Sequence, residues 1–143
     1  MTETTTVPLE RLRADIEQFY ARHMQLLDGG RAEEWAATFT EDGTFRLPGR
    51  PEPSRGRAEL AEGARRARAT QEAAGETHRH WHGMLDVEAQ PDGSVSVRCY
   101  ALVYLTPRGG EPRLHRACVC EDVLVRTDGG WRVRTRVVTR DGH

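Results

Sequence analysis

The sequence predicts an α+β fold in which N-terminal helices pack on a curved antiparallel sheet. Three observations carry this reading. Apolar residues recur at helical spacing at the start of the chain, the period changes to two from Thr77 onward, and tight-turn signals then punctuate the strands.

Leu9, Leu12, Ile16, Phe19, Tyr20, His23, Met24 and Leu27 form one apolar stripe and predict a helix over Pro8 to Leu27. Gly29 and Gly30 end it. A second helix is expected over Ala32 to Phe39, then a turn at Glu41-Asp42-Gly43 and a short strand over Thr44 to Leu47. The prolines between Pro48 and Pro53 mark a loop. Ser54 is placed to cap a third helix over Arg57 to Ala74, rich in Ala, Arg and Glu. Its apolar side is mostly alanine, which suits a closely packed lid.

Four strands follow: Thr77 to Ala89, Ser94 to Thr106, Arg113 to Arg126 and Trp131 to Thr139. The turns at Pro91-Asp92-Gly93, Pro107 to Gly110 and Asp128-Gly129-Gly130 join them as a meander.

The chain has 143 residues, a length suited to one domain and one core, with residues 1–7 expected as a disordered tail. Acidic and basic residues nearly cancel, at a net charge of −1, which favours neither nucleic acid nor an anionic membrane as partner. All 21 basic residues are arginine, so lysine Schiff-base chemistry is excluded. Glycine-rich nucleotide loops, a serine-hydrolase elbow and an HExxH zinc motif are absent from the sequence. The threonine-rich N-terminus lacks a signal-peptide pattern and no apolar run is long enough to span a bilayer, so a cytoplasmic protein is expected.

His78, His80 and His82 alternate on one strand and project to one face, with Arg79 and Trp81 opposite. Histidine moves protons near neutral pH. Alternating histidines can also chelate a metal if His115 or Asp122 completes the set. Tyr20 and His23 share the apolar stripe of the first helix and need hydrogen-bond partners if buried. On the third strand, Arg116, Cys118, Cys120 and Asp122 share a face. The cysteines read as small buried hydrophobes, and Asp122 as a partner of a histidine or of Arg134 or Arg136. On the last strand, Trp131, Val133, Thr135 and Val137 are expected on one face. Arg132, Arg134, Arg136 and Val138 are expected on the other, toward solvent or a partner subunit.

The segments Leu26-Leu27-Asp28-Gly29-Gly30-Arg31, Glu34-Trp35, Phe39, Glu41-Asp42-Gly43 and Phe45 resemble the opening of the SnoaL-like branch of the nuclear transport factor 2-like superfamily. Glu121 to Arg126 and Gly129 to Val133 are similar to that group's last hairpin. The resemblance implies a cone-shaped α+β barrel around a pocket, often dimeric through the sheet. It places His80 where scytalone dehydratase carries a catalytic histidine, and Asp122 where ketosteroid isomerase has its oxyanion-hole aspartate. His23 falls near that isomerase's pocket tyrosine. Leu47 replaces the isomerase's base, and Leu105 the dehydratase's second histidine. The Leu-Leu-Asp…Glu-Trp stretch also resembles the β-subunits of ring-hydroxylating dioxygenases.

Residues and resemblance together give a cofactor-independent cyclase, dehydratase or isomerase acting on an aromatic, polyketide-like molecule as a homodimer. The expected catalytic residues are His80, His23, Tyr20 and Asp122. The expected substrate-binding residues are His78, His82, Trp35, Cys118, Cys120, Trp131 and Thr135. The alternative is a non-catalytic partner subunit. A fold of this kind hosts several functions, so the site must decide.

Overall fold

The computed structural model describes residues 7–127 and 129–142. The expected tail therefore lies outside the described residues, apart from the exposed Val7.

Helix α1 spans Leu9–Asp28. Its apolar stripe buries Leu12, Ile16, Tyr20, His23 and Met24, spaced to fall on one side. Gly29 donates to Gln25, and Gly30 takes φ 76°, where a side chain would be strained. Helix α2 covers Ala32–Ala36 and stops short of the expected Phe39. Phe39 instead opens strand β1, Phe39–Arg46, because the Thr38 carbonyl is taken by the Val133 amide at 2.9 Å.

Ser54 is not a helix cap. It pairs with Phe45 in a two-residue strand β2, Ser54–Arg55. Gly56 stands at the N-cap of helix α3, Arg57–Ala74, at φ 86° without a side-chain cap. Helix α3 fully buries only Leu60 and Ala61, as its alanine-rich side predicts.

Strands β3 (Glu76–Ala89), β4 (Val95–Pro107), β5 (Arg113–Thr127) and β6 (Gly130–Arg140) form the expected antiparallel meander. Residue 128 of the third expected turn lies outside the described residues. Among the described residues the sheet is six-stranded, curved and open, in the order β2-β1-β6-β5-β4-β3. One pairing is parallel, β1 with β6. Parallel neighbours need a long connection, and α3 with the meander supplies it.

Register shifts shape the sheet. One interrupts β3 and β4 between Gly83 and Asp86, with Met84 at φ 56°. A Cβ on Gly83 would stand 2.1 Å from the Trp81 ring, so no larger residue fits unless that ring moves. Another interrupts β5 and β6 between Val123 and Leu124. Val133 faces Leu124 but Thr135 faces Val123, which leaves Arg134 as an extra residue. Strict alternation would put Arg136 outside. The extra residue turns Arg136 and Val138 inward, and Thr135 and Val137 away from them.

Three apolar clusters fill the space between helices and sheet. Ile16 and Leu124 anchor one, Trp35 and Phe39 another, and Cys99, Ala101, Cys118 and Cys120 the third. Burying a side chain such as Ile16 contributes about 1.5–3 kcal/mol. Among the described residues, no helix is long and apolar enough to cross a membrane.

Candidate functional site

The inner sheet face carries a buried polar network. Asp122 and Arg136 stand opposite on β5 and β6, and both are nearly inaccessible. Arg136 Nε donates to Asp122 Oδ1 and a terminal nitrogen donates to Oδ2, each at 2.9 Å. The Tyr20 hydroxyl donates to Oδ2 at 2.5 Å, and the Cys120 thiol to Oδ1 at 3.2 Å. All four contacts favour the carboxylate. Burial pushes Asp122 up, but the Arg136 charge and these hydrogen bonds outweigh it and hold the carboxyl below its ordinary range. Burial, with the Asp122 charge, drives the Tyr20 phenol well above 10.

His23 lies beside this network and is fully buried. The Thr38 hydroxyl donates to the Trp35 carbonyl at 2.5 Å, so it accepts from His23 Nδ1 at 2.6 Å. The tautomer is thereby set: Nδ1 carries the proton and Nε2 is a bare acceptor. Among the described residues Nε2 has no hydrogen-bond partner, nor do the indole nitrogens of Trp35 and Trp131. Burial, then the Arg136 charge, pushes His23 well below 6.5. His82 stacks obliquely on Tyr20 at 5.6 Å and has Nδ1 3.7 Å from Cys99 Sγ. Burial and Arg136 push it down to about 3.

Toward the other end of β3 the chemistry changes. Asp28, the last residue of α1, accepts the His80 backbone N–H at 2.9 Å and His80 Nδ1 at 2.6 Å. An ionised carboxylate only accepts, so His80 Nδ1 carries the proton and Nε2 is the basic nitrogen. The imidazole keeps 24% of its surface exposed, against 8% for the Asp28 side chain. An acid at a helix C-terminus opposes the helix dipole. The two His80 contacts offset that cost, and they explain why an aspartate sits there.

His78 is next outward. Its Nε2 lies 3.3 Å from Glu76, and its ring 5.4 Å from that of His115. A register shift beside Val103 brings His115 to this face, which alternation alone assigns to the other. Asp28 and His78 border a cleft of about 570 Å³ at the α3 end of the sheet, with Gln71, Glu76, Arg79 and Arg108 also on its walls.

The expected site residues thus divide. His78 lines the cleft, and His80 is joined to it through Asp28. Tyr20, His23, His82, Cys120 and Asp122 form the interior network. Trp35 packs with Phe39 and His23, and Trp131 with the Arg126 guanidinium at 4.8 Å. Cys118 packs in the third apolar cluster without joining the hydrogen bonds. Thr135 faces away from Arg136 and is not brought into the network. His78, His80 and His82 turn to separate partners rather than converging on one point. Sequence reasoning missed Asp28, Thr38, Cys99 and the inward Arg136. For Asp28 a signal was present, an acid where helix ends favour bases.

Comparison with known proteins agrees with this architecture. The SnoaL-like domain family matches residues 11–137. The chain belongs to that family. Aln2 of a Streptomyces species is 38% identical to this SnoaL-like protein, covers 95% of each chain and superposes with a TM-score of 0.86. A Catenulispora acidiphila protein solved in complex with S-DNPA is 34% identical over 92% of this chain and 95% of its own, with a TM-score of 0.80. The anthranilate 1,2-dioxygenase small subunit of Burkholderia cepacia is 26% identical over 93% of this SnoaL-like chain and 92% of its own.

Proposed function

We propose that this SnoaL-like protein is an enzyme of secondary metabolism that cyclises, dehydrates or isomerises an aromatic, polyketide-like molecule by acid–base chemistry on its own side chains. His80 moves the proton. The observation that carries this reading is the hydrogen bond between His80 Nδ1 and Asp28, a residue that lines an open cleft.

His80 Nε2 takes a proton from a carbon next to a carbonyl, where the conjugate base is a stabilised enolate. Asp28 is a positioning residue: it holds the tautomer and stabilises the imidazolium that forms. The same imidazolium returns the proton to carbon or to a departing hydroxyl. Arg108 and Gln71 offer N–H donors to substrate oxygens in the cleft. The interior Asp122 is saturated by its partners, and the Tyr20 proton is committed to it. In this reading both support the sheet rather than touch substrate. A small-molecule complex of a 34% identical protein supports a small-molecule ligand here.

The test is hydrogen–deuterium exchange at the α-carbon of a panel of aryl ketones and aromatic β-diketones, followed by NMR. The wild type accelerates exchange, and His80→Ala loses about 10²–10⁴-fold. Equal acceleration by a folded His80→Ala variant overturns the assignment.

A second reading is a partner subunit, favoured by the similarity to a dioxygenase small subunit. The outer sheet face exposes Trp81, Tyr100, Tyr104 and Leu114, a surface suited to a second copy or a larger subunit. We favour a cytoplasmic homodimer through this face. Sedimentation of wild type and of Tyr104→Arg separates the cases: a dimer that the arginine dissociates supports it, and a monomeric wild type rejects it.

A further inference from the structure

We propose that His82, Cys99 and Cys120 form a binding site for a thiophilic divalent cation, Zn²⁺ foremost. The site is separate from the Asp28–His80 pair and does not depend on the role given to His80.

The sheet register builds the cluster. Cys99 and Cys120 are directly opposite on β4 and β5. His82 pairs with Ala101 on β4, two residues from Cys99, and so reaches Cys99 diagonally. All three side chains project from the inner face, and their donor atoms lie within 4.8 Å of one another. The His82 Nδ1 to Cys99 Sγ distance is 3.7 Å. Zinc bonds of ~2.3 Å to sulfur and ~2.05 Å to nitrogen in a tetrahedron put those atoms ~3.6 Å apart. The edge that the fold supplies is therefore close to the edge zinc requires. Hydrogen bonding alone explains this arrangement poorly, since thiols are weak donors and acceptors.

Donor type decides the class of ion. Two thiolates and an imidazole select zinc or similarly soft ions over magnesium or calcium. Charge also balances. Zn²⁺ displaces one proton from each thiol to solvent, and the two thiolates neutralise the cation. The neighbouring Asp122–Arg136 pair is already neutral. Asp122 Oδ1, 3.2 Å from Cys120 Sγ, stands beside the cluster as an outer partner of that sulfur. Arg136 and Tyr20 still hold the carboxylate, as outer partners orient ligands in metal sites. The ion would tie β3, β4 and β5 together from inside, a structural brace rather than a reagent.

Cys118 provides the internal control. It shares the strand and the face of Cys120 but pairs with Ala101 and lies outside the cluster. The experiment uses full-length protein purified without a histidine tag, kept reduced by a phosphine, and titrated with Co²⁺ and then Zn²⁺. One Co²⁺ per chain with thiolate-to-cobalt charge-transfer absorbance is expected, displaced by Zn²⁺, with a melting temperature raised by several degrees. The absorbance is lost in Cys99→Ser and Cys120→Ser and retained in Cys118→Ser. X-ray absorption at the zinc edge of the wild type reads the ligands without any variant, and two sulfur neighbours are expected. Absence of stoichiometric binding by folded, reduced wild type overturns the proposal. So does a zinc shell of oxygen and nitrogen alone, or charge-transfer absorbance that survives in the Cys99→Ser/Cys120→Ser double variant.

Discussion

Asp28 clamps His80 twice, accepting its backbone N–H at 2.9 Å and its Nδ1–H at 2.6 Å. The first contact fixes where β3 lies against the end of α1. The second fixes which ring nitrogen is basic. Asparagine at position 28 can keep the backbone contact but offers an N–H₂ group or a weaker acceptor to the ring. Nitrogen NMR of labelled histidine is expected to show His80 protonated at Nδ1 in the wild type and a mixed or reversed tautomer in Asp28→Asn. Unchanged tautomers would remove Asp28 as the positioning residue.

The Asp122–Arg136 pair predicts an asymmetry in stability. Arg136→Met leaves a buried carboxylate without its cation and is expected to cost about 3–5 kcal/mol. Adding Asp122→Leu removes the stranded charge and is expected to recover part of that loss. Urea unfolding midpoints measure both. A double variant less stable than Arg136→Met would show that the pair is not the source of the cost.

His23 and His82 predict a pH dependence. Burial, reinforced by Arg136, keeps both neutral in the metal-free fold, with His82 held down to about 3. In the unfolded chain each takes a proton near 6.5, so below that pH the unfolded state binds more protons. Their contribution is fully present above about pH 6.5 and is lost as pH falls toward the depressed folded values. The slope approaches about 1.4 kcal/mol per pH unit for each histidine. Urea titrations of metal-free protein between pH 7 and 5, before most carboxylates titrate, are expected to show this fall. A flat profile there would contradict it.

Gly83 predicts a suppressor. Alanine at this position collides with the Trp81 ring, which the fold leaves 53% exposed. Gly83→Ala is expected to cost about 1–3 kcal/mol, and Trp81→Ala to relieve most of it. Thermal melts of the two single variants and the double variant test this. Additive losses would mean that the collision is not the cause.

Much of the fold was legible because periodicity and turn chemistry agree. The stripe from Leu12 to Met24 and the turn at Pro91-Asp92-Gly93 each admit one local structure. The inward row His78, His80 and His82 followed from alternation alone. Alternation failed where an extra residue enters a strand. Nothing local in Arg132-Val133-Arg134-Thr135-Arg136 says that Arg134 is the extra one, so alternation turns Arg136 outward even though it is also a candidate partner of Asp122, the pairing that the structure shows. The same holds for His115. Phe39 read as helix because its partner, Val133, lies at the far end of the chain. Asp28 shows in the sequence only as an acid at a helix end and as part of a family motif, since its partner is 52 residues away.

Asp28 and His80 are proposed to act as one unit in proton transfer. The most direct measurement is a double-mutant cycle on α-carbon exchange with Asp28→Asn, His80→Ala and the pair combined. Residues that work as a unit are strongly non-additive. The double variant is expected to be no slower than His80→Ala alone, because Asp28 has nothing left to orient. Losses that multiply, or an Asp28→Asn variant as fast as the wild type, would contradict it.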